Sequence, residues 1–171
     1  MPSHFQTEQW LPLPAERIFR FFADPENLPR ISPPQSGARL TRLQLVPPPG
    51  IADSDRLAGA GSEVEVSIRL LPFLPLRARW TAVITEFVFG SHFRDVQIKG
   101  PFRKWDHLHQ ISAATRDGRP GALVRDVVEY QVGYGWIGAA ADRLFIRRIL
   151  VTSFAFRHRA TEALLGIEKR E

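Results

Sequence analysis

Hydrophobic and polar positions alternate with a period of two along most of this chain, and a longer period takes over only near its ends. Phe5, Thr7 and Gln9 alternate with Gln6, Glu8 and Trp10, which predicts a first strand over residues 4–11, ended by Pro12 and Pro14. Pro14 stands where a helix can begin, because the first turn does not need its missing N–H. Ala15–Ala23 reads as a short helix with Ile18, Phe19, Phe21 and Phe22 on a broad apolar face. Asp24-Pro25-Glu26-Asn27 stops it and caps a second short helix near Glu26–Ile31, which ends at Pro33-Pro34.

Period two then returns. Strands are predicted over Arg39–Val46, Ser62–Leu71, Leu76–Val88, His92–Lys99, Arg103–Ala113 and Ala122–Val132. Gly90, Gly100-Pro101 and Asp117-Gly118 fall between them as hairpin turns, and Pro72–Pro75 forms another turn. Pro47–Gly61 is a long glycine-bearing loop, read either as a lid or as an ordinary surface loop. After Gly133-Tyr134-Gly135 the pattern becomes helical. A long amphipathic helix is expected from about Trp136 to Leu165, roughly 45 Å at 1.5 Å per residue. Ala141, Phe145, Ile149, Thr152, Phe156 and Ala163 form its predicted apolar stripe. Arg143, Arg147, Arg157 and His158 fall opposite, on a face that also carries Leu150 and Phe154. The stripe can be buried only against the concave face of the sheet, which makes the fold class α+β and residues 1–171 one domain.

Composition narrows the chemistry. At 171 residues, 44% hydrophobic and 24% charged, the chain is an ordinary globular one. The absence of cysteine excludes disulfides, thiolate nucleophiles and Cys-ligated metals. Net charge is +5, with 20 of the 23 basic residues arginine, but these are scattered and imply no nucleic-acid partner. No signal-like start or spanning apolar segment is seen, so a cytoplasmic protein is expected. Neither a nucleotide-binding glycine loop nor a Gly-x-Ser-x-Gly elbow is found.

Alternation also sorts candidate functional residues. Phe93, Asp95 and Gln97 share one strand face; Trp105, His107, His109 and Ile111 share another; Val124, Asp126, Val128 and Tyr130 share a third. Pointing the aromatic-rich sets inward places Asp95, Gln97, Trp105, His107, His109, Asp126, Val128 and Tyr130 in the interior. Phe145, Ile149 and Phe156 would face them from the helix. Ionised groups in an apolar interior must satisfy one another, since an unpartnered one costs several kcal/mol. Such a cluster can hold the polar end of a ligand while the aromatics hold its body. Equally, His107–Asp126 can be a plain cross-strand hydrogen bond that fixes register, and Asp95 and Gln97 can cap a strand end or face water. Two histidines at i, i+2 with a carboxylate match a two-His-one-carboxylate metal set, but any alternating strand with two histidines does so, and no metal or cofactor is expected.

Several segments resemble a known family. They are Trp10–Leu28, the stretch from Phe93-Arg94-Asp95 through Gly100-Pro101-Phe102, Trp105, His107 and His109, then Asp126 to Glu129-Tyr130, and Gly138 to Phe145. Together they resemble the START-like helix-grip superfamily (SRPBCC), in its bacterial cyclase/dehydrase or ligand-binding subgroup. The resemblance implies a curved antiparallel sheet of six to seven strands gripping a C-terminal helix, with a ligand cavity between them. It implies binding or carriage of a hydrophobic small molecule of lipid, quinone or polyketide type. The alternatives are an aromatase or cyclase, in which His107 or His109 acts as general base oriented by Asp126, and a regulatory module that meets a partner or a membrane surface through the basic helix face.

Overall fold

The computed structural model describes residues 2–51, 55–69, 76–133 and 145–167. Its strands are β1 Ser3–Leu11, β2 Arg39–Gln44, β3 Glu63–Arg69, β4 Arg77–Val88, β5 His92–Lys99, β6 Lys104–Arg116 and β7 Arg119–Gln131. They form one antiparallel sheet of seven strands in the order β1-β7-β6-β5-β4-β3-β2. Two short helices, α1 (Ala15–Ala23) and α2 (Asn27–Arg30), and a 3-10 turn at Pro34–Ser36 connect β1 to β2 across the sheet. The C-terminal helix α3 runs from Arg147 to Leu164. This is the α+β helix-grip arrangement, with β1 carried back beside β7 rather than beside β2.

Local chemistry accounts for these elements. The β6–β7 hairpin turns through Asp117 (φ 51°) and Gly118 (φ 72°), the two left-handed positions of a two-residue turn whose twist matches that of the strands. Pairing therefore runs to the very tip, Arg116 opposite Arg119, and both strands reach further toward the turn than their alternation alone predicts. In α1, Ile18, Phe19, Phe22 and Ala23 are buried, and Phe19 meets Phe87, Phe89 and Phe93 edge-on at 5.3–5.8 Å. The main core gathers around them from Leu11, Ile31, Ile84, Ile111, Ala122 and Val124.

The Pro47–Gly61 loop is not a lid over its described length. Leu57 and Ala58 are buried in the main core, and their segment is tied down by Ala58 N–H to the Ala23 carbonyl (3.0 Å) and Gly59 N–H to the Val46 carbonyl (3.0 Å). Apolar burial outweighs its polar, glycine-bearing composition. Residues 52–54, the turn at 72–75 and the helix predicted over 136–144, with Ala141 and Arg143, lie outside the described residues. Among the described residues, no helix is long and apolar enough to cross a membrane.

The described part of the last helix is turned relative to its predicted stripe. Leu150, Phe154 and Thr161 are its buried positions, while Ile149 and Phe145 are 52% and 63% exposed and Thr152 and Ala163 are also exposed. The buried positions advance by i, i+4 and i+11, and Arg157 falls on the same line between Phe154 and Thr161. Gln9 of β1 holds the helix in this setting by donating from Nε2 to the His158 carbonyl (2.9 Å) and to Glu162 Oε1 (3.0 Å). Phe5 packs on Phe154, with ring centroids 4.9 Å apart.

Gly121 is dictated by a close approach. A Cβ on Gly121 would lie 2.4 Å from the Leu11 carbonyl oxygen and 2.7 Å from the Trp10 ring, where β7 meets β1. Gly121→Ala is expected to lower stability by about 1–3 kcal/mol, because neither the backbone nor the indole can yield freely. Urea denaturation checks this.

Candidate functional site

Strand register assembles the site. Asp95 on β5 pairs with His107 on β6, and His109 on β6 pairs with Asp126 on β7. The side chains of paired residues share a face, so two acids and two imidazoles from three adjacent strands converge on the concave side. Direct and diagonal contacts both form. His107 Nε2 hydrogen-bonds Asp126 Oδ1 (3.1 Å), and His109 Nε2 hydrogen-bonds Asp95 Oδ2 (3.2 Å). His107 Nδ1 also lies 3.3 Å from Asp95 Oδ2, and His109 Nδ1 lies 2.7 Å from Asp126 Oδ1. All four ring nitrogens therefore face a carboxylate oxygen, and the two ring centroids are 3.7 Å apart.

A cation closes the group from the helix. Arg157 Nη2 reaches to 3.5 Å from His109 Nδ1, and its guanidinium covers the rings of Phe22 (5.0 Å) and Phe154 (5.6 Å). Arg157 belongs to the site rather than to the solvated face expected for it, and Leu150 and Phe154 likewise turn inward. What remains described of the predicted basic face at the start of α3 is Arg147. The signal that marks Arg157 was present in the sequence: an interior with two acids calls for a cation, and none of the inward strand positions supplies a permanent one.

Electrostatics follow from this packing. Burial by itself would raise the carboxyl of Asp95, but the charge of His107 and hydrogen bonds from both imidazoles outweigh it and hold the group well below its ordinary value. Burial opposes ionisation of Asp126 too, and is overcome by the charge of Arg157 and by His107 and His109. His107 is pushed down by burial but raised further by Asp95 and Asp126, so its net shift is upward. With both carboxylates ionised, Arg157 and one imidazolium already balance the cluster.

The other candidates are distributed around it. His107, His109 and Asp126 are 4%, 4% and 1% exposed, whereas the Asp95 side chain retains 19% exposure. Trp105, Val128 and Tyr130 are buried beside them with Leu150 and Phe154. Gln97 shares the inward face, but its amide is engaged with the β5–β6 turn: Nε2 donates to the Phe102 carbonyl (2.7 Å), and Oε1 receives the Phe102 N–H (3.4 Å). It shapes the turn and lies apart from the acid–imidazole group. Phe145 and Ile149 are exposed and Phe156 is half-buried, so the first two do not line the described interior. The predicted helix phase is displaced because it counts Arg157 as a solvent residue. Asp95, His107 and His109 each offer a ligand atom, all within 4.8 Å of one another.

The ionic arrangement gives the fold a pH signature. Asp95 and Asp126 contribute stability in full above the ordinary carboxylate value of 3.8, and this is lost as pH falls through their depressed folded values. His107 contributes in full below its ordinary 6.5, and this is lost as pH rises through its raised folded value. In chelator-containing buffer the alkaline limb of the melting-temperature profile should therefore flatten in His107→Gln. Separately, Arg157→Met should lower stability by about 1.5–3 kcal/mol, the value of a charge-assisted contact to a buried group. Arg147→Met, exposed on the same helix, should change it by less than about 0.5 kcal/mol. Guanidinium denaturation distinguishes the two.

Comparison with known proteins agrees with this architecture. No curated protein matches the chain in sequence. Solved structures do match it in fold. The Thermus thermophilus protein TTHA0849 superposes with a TM-score of 0.67 at 15% identity, over 98% of this chain and 100% of that one. The protein Ara h 8.0201 gives a TM-score of 0.62 at 11% identity, over 98% and 100%. Norcoclaurine synthase from Thalictrum flavum, solved with dopamine and hydroxybenzaldehyde, gives 0.62 at 12% identity, over 100% and 90%. The family model described as polyketide cyclase / dehydrase and lipid transport matches residues 11–156. With that match running from the end of β1 through β7 into α3, the chain belongs to the polyketide cyclase/dehydrase and lipid transport family.

Proposed function

We propose that this chain binds a hydrophobic small molecule of lipid, quinone or polyketide type between the sheet and the first half of α3. One observation carries this reading: the interior is divided into two apolar groups, and the second is aromatic and only partly covered. Trp105, Val128, Tyr130, Leu150 and Phe154 form its buried floor, with Phe5, Trp80 and Phe102 half-buried around it. The rings meet edge-on and tilted: Trp80–Trp105 at 4.8 Å, Phe102–Trp105 at 5.1 Å and Phe102–Tyr130 at 5.9 Å. Aromatic walls beside a few fixed polar groups are the usual makeup of a small-molecule site. Here the polar boundary is His107, whose ring packs against both Trp105 (6.0 Å) and Phe154 (5.7 Å).

Binding is favoured over general-base catalysis by the same geometry. Every nitrogen of His107 and His109 lies against a carboxylate oxygen, so a lone pair there could serve as a base only after one of these contacts is given up. The cyclase reading would require a ligand to displace one of these contacts.

Displacement of N-phenyl-1-naphthylamine, followed by fluorescence, tests the proposal, with native mass spectrometry of the freshly purified protein beside it. A saturable site and a co-purifying apolar ligand are expected. Trp105→Ala should weaken probe binding about 10- to 100-fold, the value of one large apolar contact. Equal binding by Trp105→Ala and the wild type, with no bound ligand, would sink the idea.

A further inference from the structure

We propose that Asp95, His107 and His109 form a site for a divalent metal ion of the zinc type, with Asp126 orienting both ligating imidazoles. The argument does not depend on what occupies the aromatic group.

The three ligand atoms are Asp95 Oδ2, His107 Nδ1 and His109 Nε2, and the acid oxygen lies 3.3 and 3.2 Å from the two nitrogens. Two metal bonds of about 2.0–2.1 Å at a tetrahedral angle span about 3.3 Å, so two edges of the coordination polyhedron are already at length. All three atoms fall within 4.8 Å of one another. Two imidazole nitrogens and one carboxylate form a donor set for zinc, cobalt or ferrous iron rather than for calcium or magnesium, which take oxygen.

A second observation separates this arrangement from a chance cluster. The nitrogens turned away from Asp95, His107 Nε2 and His109 Nδ1, both face the same oxygen of Asp126, at 3.1 and 2.7 Å. Metal-ligating histidines almost always donate their second N–H to such a carboxylate, which sets the tautomer and the ring plane. One acid does this for both rings. Arg157 stands on that side, against His109 Nδ1, so the cation that balances Asp126 is kept away from the face Asp95 occupies. The ring planes are held further by Phe93, stacked on His109 at 4.3 Å, and by Trp105, edge-on to His107. Asp95 is the least buried member, so an ion enters past it and keeps a coordination position for water or a ligand oxygen.

The test uses tag-free, chelator-stripped protein titrated with Co2+ and with Zn2+. One equivalent should bind, Co2+ should develop visible d–d bands of a low-symmetry nitrogen–oxygen site, and Zn2+ should displace it and raise the melting temperature. Asp95→Asn, conservative and at the least buried position, should abolish the bands while its near-ultraviolet dichroism stays native. Asp126→Asn should keep the bands but weaken affinity about 10- to 100-fold. His92→Gln, a surface histidine, should bind as the wild type does. The proposal is overturned if wild-type protein shows neither bands nor a one-site isotherm, or if Asp95→Asn binds as tightly as wild type. The wild-type spectrum decides the matter even if a variant fails to fold.

Discussion

Two carboxylates buried on the concave face of a sheet set the terms for the rest of this structure. Taking an ion out of water costs several kcal/mol even after relaxation, and pairing compensates only when the geometry is good. Asp126, at 1% exposure, is almost wholly dependent on its neighbours. They come from elements far apart in the chain: His107 and His109 from β6, and Arg157 from α3. The cluster thus ties strand register to helix placement. A one-residue slip of β6 would turn both imidazoles to the outer face and leave Asp95 and Asp126 without these partners. A rotation of α3 would withdraw Arg157 from the interior.

The interior accordingly has three zones rather than one core. Around α1 lies an ordinary apolar core of leucine, isoleucine, alanine and phenylalanine. Under the start of α3 lies an aromatic group. The charged cluster stands between them, with Phe93 and Phe22 stacked toward His109 on one side and Trp105 and Phe154 against His107 on the other. The first zone packs α1 against the sheet. Ring edges left half-buried in the second contribute less to folding than full burial would.

The sheet was legible in the sequence because its signal is local. Period two, the Asp117-Gly118 turn and the proline borders identify each strand without reference to the others. The inward placement of Trp105, His107, His109, Asp126 and Tyr130 then follows from alternation together with the aromatic content of one face. The helix phase was not legible by the same means. A hydrophobic-face argument assumes that charged residues point to water, and Arg157 breaks the assumption because its partner lies on another element. Counting it as exposed turns the stripe toward Phe145 and Ile149 and away from Leu150 and Phe154. The role of Gln97 was hidden for a similar reason: strand alternation gives the face of a side chain, but not the turn carbonyl it reaches.

Nonlocal charge balance corrects what periodicity misreads, and it also bears on chemistry. An imidazole whose two nitrogens each lie against a carboxylate oxygen is fixed in orientation before anything binds. The property such a site retains is orientation. His107 presents a fixed edge to the aromatic group, and Asp95, partly open to solvent, is the one acid a ligand or an ion can approach without first dismantling the cluster. Any chemistry at this site would have to begin by replacing a carboxylate contact with something of equal charge or coordinating strength.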